Sequence, residues 1–133
     1  MSYYLISINL SKMKSTFNYI VNKFVSGIKG FYWLFKEESS IWFHFLVTII
    51  VIVFGVIFKI NNTEWLIILL TFGLVISIEM LNSALESMVD LVSFSYNVNA
   101  KKIKDISAAA TLFTAITAVS IGLIIFIPYF INF

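Results

Sequence analysis

The chain contains no cysteine and no arginine, and it has only one histidine and one proline. The absence of cysteine excludes disulfides, thiolate metal sites and cysteine nucleophiles. The single histidine, His44, excludes a multi-histidine metal site within one chain. All nine basic residues are lysines, so no bidentate guanidinium clamp is available.

Charged residues are also scarce. They make up 12% of the 133 residues, whereas hydrophobic residues make up 60% and the mean hydropathy is +0.97. A soluble domain carries about 25% charged residues, and a soluble core of this size could not bury so much apolar surface. The sequence therefore predicts a small integral membrane protein. Its net charge of +2 is too small to indicate nucleic-acid binding.

Four hydrophobic segments organise the chain. Residues 1–36 carry apolar side chains at helical spacing with most lysines off that line, which indicates an amphipathic helix lying in the membrane interface. The other three are long and apolar enough to span a bilayer. They cover residues 41–58, 65–93 and 106–129. A short connection (59–64) and a loop (94–105) join them. Because the sequence has no internal repeat, we expect one membrane domain over residues 1–133.

The placement of lysines predicts the orientation of the spans. Eight of the nine lysines lie in residues 1–36 and in the loop 94–105, and only Lys59 lies in the other connection. The positive-inside rule then places the N-terminus in the cytosol and the C-terminus outside. We therefore expect a multi-pass protein of the cell membrane, with Glu38 and the loop 94–105 at its cytosolic face.

A line of polar residues marks the second predicted span. Glu79, Asn82, Glu86 and Asp90 stand at offsets 0, 3, 7 and 11. At 100° per residue these offsets fall within roughly 80° of one another on a helix. A carboxylate in hydrocarbon costs on the order of 3 kcal/mol, so the line is predicted to face protein or a water-filled site. Three carboxylates on one face repel one another, which favours a bound cation with a preference for oxygen ligands.

Acids paired with a lysine at a membrane surface suit phosphoryl transfer. Glu38 and Glu86 are candidate Mg²⁺ ligands, since both are expected where phosphates arrive. Lys104 could neutralise charge on the transferring phosphate. Glu79, about 10 Å deeper than Glu86 at 1.5 Å per residue, could accept the proton of a lipid hydroxyl. Asn82 could donate to phosphate or orient Glu79.

Other functions fit the same polar line. It could form a proton or ion pathway, or provide polar contacts between helices. None of the five glycines forms a phosphate-binding loop, so any kinase here is not of a soluble type. His44 is predicted to pack between helices rather than to bind metal.

The segments EMLNSALESMVD (79–90) and AKKIKDISAAA (100–110) resemble the signature of the small prokaryotic diacylglycerol kinases. The family pattern is close to E-x-x-N-[ST]-A-[IL]-E-x-x-V-D, a short loop, and A-K-x-x-K-D-x-[AS]-A. The resemblance covers residues 20–130 approximately. It implies a surface helix and three membrane helices, assembled as a homotrimer with active sites between subunits at the cytosolic interface.

By position, the resemblance also implies roles for individual residues. Glu79 resembles the catalytic base, and Asp90 a supporting acid of the motif. Glu38 and Glu86 resemble the ligands that hold Mg²⁺ and ATP. The remaining nucleotide contacts would be Asn82, Tyr96, Lys104 and Asp105. The implied partners are ATP and a lipid alcohol, with no nucleic acid.

The family has branches that act on diacylglycerol or on undecaprenol. The tail ITAVSIGLIIFIP (116–128) and the opening of the second span are most like the undecaprenol kinases of Gram-positive bacteria. The predicted function is therefore ATP-dependent phosphorylation of undecaprenol. The alternatives are a diacylglycerol kinase, or a non-enzymatic ion pathway or degenerate regulatory subunit. Ser40 and Trp42 depart from the family, which commonly has Asn and Arg at these positions.

Overall fold

The computed structural model describes the backbone of residues 2–93 and 97–131, with side chains from Ser15 onward. Within those ranges all regular structure is helical and no strand occurs. The helices are α1 (Ser2–Glu37), α2 (Ser40–Ile57), α3 (Asn62–Val92) and α4 (Val98–Ile131). The predicted all-helical fold class is confirmed.

Three of these helices are suited to a membrane. α2, α3 and α4 are each long and apolar enough to cross a bilayer. Their large apolar side chains are mostly exposed; Leu70 and Phe113, for example, are each 73% exposed. Apolar side chains exposed in this way are expected to face lipid. A helix can cross lipid because its backbone groups are hydrogen-bonded along the helix. The chain is therefore a membrane protein.

The chain forms two compact units, residues 1–37 and residues 38–133. The first unit is α1 alone. Large apolar side chains recur on it at spacings of three and four residues, as in an amphipathic helix. Exposed members of this stripe are Phe17, Ile20, Phe24, Ile28 and Phe31. The location of α1 in the membrane interface and the grouping of both units in one domain stay predictions.

A tight reversal joins α2 to α3. Lys59 adopts a φ of 52°, in the left-handed region, and the chain turns back immediately after it. Asn61 then caps α3, because its side chain accepts from the Glu64 amide at 3.0 Å while Glu64 Oε2 accepts from the Asn61 amide at 2.8 Å. Gly55 lets the helices approach closely at this point. A Cβ on it would lie only 2.8 Å from Cη2 of Trp65.

Helices α3 and α4 pack against each other as an antiparallel pair, and their contact is the most extensive between elements. At one end, the Lys104 ammonium lies 2.7 Å from Asp90 Oδ1. At the other end, the Tyr129 hydroxyl donates to Glu64 Oε2 at 2.8 Å. The rings of Phe126, Tyr129 and Phe130 also meet Phe58 of the α2–α3 turn.

The connection between α3 and α4 is shorter than the sequence analysis predicted. The prediction of a loop over 94–105 is wrong for residues 98–105, which form the first turns of α4. The Asn97 side chain accepts from the backbone amides of Asn99 at 2.9 Å and Ala100 at 3.4 Å. Asn97 therefore acts as a helix cap, and α4 starts eight residues before residue 106, where the span was predicted to begin.

Candidate functional site

The polar line on α3 changes from buried to exposed along the helix. Glu79 is 5% exposed, Asn82 and Glu86 are half-buried, and Asp90 is exposed. Glu79 is the eighteenth residue of the 31 in α3, so it lies at mid-helix, whereas Asp90 lies in the last turn. A buried carboxylate in an apolar helix is costly unless its oxygens find partners. The partners of Glu79 come from α2.

Two residues of α2 face the Glu79 carboxylate. The Ser40 hydroxyl donates a hydrogen bond to Glu79 Oε1. The His44 ring lies on the other side, with Nε2 3.9 Å from Glu79 Oε2. That distance is too long for a hydrogen bond. Oε2 accordingly has no hydrogen-bond partner among the described residues, although it is buried.

Asn82 and Glu86 form the next part of the line. The Asn82 amide donates to Glu86 Oε1 at 3.1 Å, and it thereby fixes the orientation of both side chains. The Asn82 Oδ1 atom is buried and finds no hydrogen-bond partner within the part of the chain that is described. Two oxygens on successive turns of α3, Glu79 Oε2 and Asn82 Oδ1, are thus available to accept from a ligand.

Asp90 and Lys104 link the end of α3 to the start of α4. The Lys104 Nζ atom donates to Asp90 Oδ1 at 2.7 Å. An ammonium has three donors, so Lys104 keeps two that Asp90 does not use. Ser107, one turn further along α4, is buried and donates to the Lys104 carbonyl at 3.0 Å.

The other predicted site residues are less closely connected. Glu38 is half-buried, directly before α2, and Asp105 is exposed on α4. The prediction for Tyr96 falls outside the described residues. Among the side chains that the structure describes, no group of three acids or histidines lies close enough to hold a metal ion. Within the described part of the chain, the predicted metal ligands Glu38 and Glu86 do not belong to such a group.

A cavity of about 280 Å³ lies beside the site, between α2, α3 and α4. His44, two threonines and a set of apolar residues line it, including Ala118 and Gly122 of α4. Its two threonines offer no free hydroxyl proton, because Thr48 donates to the His44 carbonyl at 2.8 Å and Thr71 to the Ile67 carbonyl at 2.7 Å. The cavity therefore presents an apolar wall with one imidazole in it.

Ser40 and His44 were not assigned to the site by the sequence analysis. Ser40 was noted only as a departure from the family, and His44 was predicted to pack between helices. The sequence did carry a signal for both. They stand four residues apart at the start of an uncharged apolar helix, and a spacing of four puts them on one face.

These features define a class of protein: a three-span membrane protein with a buried acid, a line of acids leading to one end, and a lysine held beside them. A family model agrees with that class. The model for prokaryotic diacylglycerol kinase matches residues 26–126. The chain belongs to this family, and it is a lipid kinase.

Two curated relatives show how far the likeness extends. The chain is 32% identical over 115 residues to the undecaprenol kinase of Bacillus subtilis (strain 168), covering 86% of this chain and 94% of that protein. It is 35% identical over 100 residues to a diacylglycerol kinase of Synechocystis sp., covering 74% of this chain and 57% of that protein. The family resemblance noted from the sequence is thus confirmed.

Proposed function

We propose that this chain transfers the γ-phosphate of ATP to the hydroxyl of undecaprenol, at the cytosolic face of the cell membrane. The observation that carries the chemistry is the buried Glu79 carboxylate, which has one oxygen held by Ser40 and the other without a hydrogen-bond partner in the described ranges. A carboxylate oriented in this way can accept a proton. Undecaprenol is preferred as the acceptor because the likeness to an undecaprenol kinase spans 94% of that relative.

Glu79 acts as the general base in this proposal. The proton of the lipid hydroxyl moves to Glu79 Oε2 while the hydroxyl oxygen forms a bond to the γ-phosphorus. The bond between that phosphorus and the bridging oxygen of ADP breaks, and ADP leaves. Lys104 would place positive charge beside the phosphate oxygens, where negative charge must be stabilised during transfer. Asp90 keeps that ammonium at the end of α3.

Magnesium fits the donor set of this site. Mg²⁺ is usually bound through one or two carboxylates plus the phosphates of the substrate, so it does not need a complete protein cage. Glu86 and Glu38 would hold it, and the unpartnered Asn82 Oδ1 lies on the same helix face as an additional oxygen donor. When bound, the ion neutralises phosphate charge. Asp105 and Tyr96 remain candidates for contacts to the nucleotide.

A homotrimer is part of the proposal. Among the residues that the structure describes, Glu79 Oε2 and Asn82 Oδ1 find no hydrogen-bond partner, and no three acids or histidines come together. A neighbouring subunit could complete such a site. Protein in detergent should then have about three times the 15.2 kDa mass of one chain by native mass spectrometry. Mixed Glu79→Gln and Glu38→Gln chains should be more active than either variant alone if the sites lie between subunits.

The orientation of the chain in the membrane can be tested with introduced cysteines. No native thiol has to be removed first, because the chain has no cysteine. We expect Lys59→Cys to react with a membrane-impermeant thiol reagent on intact cells. Lys102→Cys should react only after the cells are opened. The reverse pattern would contradict an N-terminus in the cytosol.

The main test is phosphate transfer from labelled ATP in mixed micelles, with undecaprenol and diacylglycerol offered separately at equal mole fraction. We expect faster transfer to undecaprenol and a loss of about 10²- to 10⁴-fold in Glu79→Gln, which removes the general base. Glu64→Gln is the matched control, since Glu64 is an acid of the same helix at its opposite end. Faster transfer to diacylglycerol would refute the choice of acceptor, and no transfer to either lipid would refute the proposed function.

The assignment of Glu38 and Glu86 as Mg²⁺ ligands is tested separately, with its own control. Glu38→Gln and Glu86→Gln should each raise the Mg²⁺ concentration required for half-maximal transfer. Glu37→Gln should leave that concentration unchanged, because Glu37 is the adjacent acid in the sequence but is exposed, whereas Glu38 is half-buried. Equal effects of the Glu37 and Glu38 substitutions would contradict the assignment of Glu38.

A further inference from the structure

The strongest unassigned feature is the pair of α2 side chains beside Glu79. Ser40 and His44 lie four residues apart on one face of α2, and both meet the same carboxylate from different sides. Ser40 occupies Oε1, whereas the His44 ring stands next to Oε2. Glu79 is 95% buried, since only 5% of it is exposed, so solvent does not supply these contacts. The orientation of the carboxylate therefore depends on α2.

The two contacts differentiate the oxygens of the carboxylate. A free carboxylate can rotate about its terminal bond and present either oxygen. The Ser40 hydroxyl fixes Oε1, and this leaves Oε2 as the oxygen able to accept a proton. A catalytic base must hold its accepting atom in place, because small errors of position reduce the rate strongly.

The His44 ring borders the cavity, and it lies short of a hydrogen bond to Oε2. Nε2 lies 3.9 Å from Oε2, and a hydrogen bond would require an approach of about 1 Å. The ring lines the 280 Å³ cavity and is only 18% exposed, so it has free volume on one side and protein on the other.

We propose that Ser40 and His44 are positioning residues for Glu79. Ser40 anchors Oε1, and His44 holds Oε2 in the direction from which the lipid hydroxyl arrives. This role rests on the proposed function of Glu79 as the base. It assigns a function to the serine that departs from the family pattern and to the single histidine of the chain.

The kinetic test compares four substitutions at Ser40 and His44 with one control substitution on the same helix. We expect Ser40→Ala and His44→Ala to lower kcat by about tenfold or more, with the KM for ATP nearly unchanged, because positioning affects the reacting geometry. Ser40→Thr and His44→Gln should recover part of the rate, since each keeps a polar group at a similar reach. Thr48→Ala is the matched control, because the Thr48 hydroxyl bonds only to the backbone of its own helix.

A spectroscopic test does not depend on turnover. His44 is the only histidine, so the imidazole signals of isotope-labelled protein belong to one residue. Glu79→Gln should shift those signals, whereas Glu86→Gln, two turns further along α3, should change them much less. Equal shifts in the two variants would refute the contact, whether or not the variants remain active.

The outcomes separate this inference from the function on which it rests. Active wild-type protein with unchanged kcat in Ser40→Ala and His44→Ala would overturn the positioning role and leave the kinase assignment intact. Wild-type protein that transfers phosphate to neither lipid would overturn both. A rate that falls in Thr48→Ala as far as in Ser40→Ala would show a general effect on α2, and it would also overturn the role.

Discussion

The close approach of Gly55 to Trp65 gives the sharpest prediction about stability. A Cβ added at residue 55 would lie 2.8 Å from Cη2 and 2.9 Å from Cζ2 of Trp65, and 3.1 Å from Cδ1 of Ile60. Carbon atoms pack at about 3.5–4.0 Å, so two rigid ring atoms are closer by roughly 0.6 Å or more than contact allows. Gly55→Ala must therefore push α2 away from the start of α3.

We expect this substitution to destabilise the protein by about 1–3 kcal/mol, the usual cost of inserting a carbon into a packed site. Alanine is more favourable than glycine inside a helix by about 1 kcal/mol. The net loss of stability should therefore fall in the lower part of that range. The measurement is unfolding in mixed micelles, followed by helical circular dichroism during titration with a denaturing detergent. Transfer activity should fall as well, because α2 carries the contacts to Glu79.

Gly73→Ala is the matched control for this prediction. Gly73 lies inside α3, and a Cβ there would meet nothing within 4 Å, so the same substitution should be neutral or stabilising. Combining Gly55→Ala with Trp65→Leu should recover part of the stability by removing the ring atoms. Gly55→Ala protein as stable as the wild type would refute the reasoning, and so would an equal loss in Gly73→Ala.

Two further predictions concern the ends of the α3–α4 pair. Lys104→Ala should lower the rate of transfer by about a hundredfold, the usual effect of removing one group that stabilises developing charge, whereas Lys101→Ala on the exposed side should not. Tyr129→Phe removes the hydroxyl that donates to Glu64 Oε2, so it should lower the unfolding midpoint less than Gly55→Ala does and leave transfer unchanged. Equal rates in the two lysine variants, or lost activity in Tyr129→Phe, would contradict these assignments.

Much of the fold could be predicted from local pattern. Long apolar segments without charge predict membrane helices, and α2 and α3 begin within three residues of their predicted starts. The lysines at 101, 102 and 104 favour a loop in the sequence pattern, so the predicted start of α4 at residue 106 is eight residues too late. The cap at Asn97 and a continuous helical segment outweigh those charges, since lysines on an exposed face do not oppose a helix.

The site was only partly predictable. The line Glu79–Asn82–Glu86–Asp90 follows from helical periodicity, which is a property of one segment. The pairing of Asp90 with Lys104 and of Ser40 with Glu79 joins residues that are 14 and 39 positions apart. Such pairs depend on the rotation and register of two helices, and no local pattern contains that information.

The sequence by itself determined the class of the protein, its helical segments and the polar face of α3, because hydrophobicity and periodicity act within each segment. The tertiary structure decided which Glu79 oxygen is held, that His44 stands beside the other, and that Lys104 is paired with Asp90. These features follow from the packing of α2 and α4 against α3. The contact of Gly55 with Trp65 and the antiparallel pairing of α3 with α4 set the register that brings the side chains together.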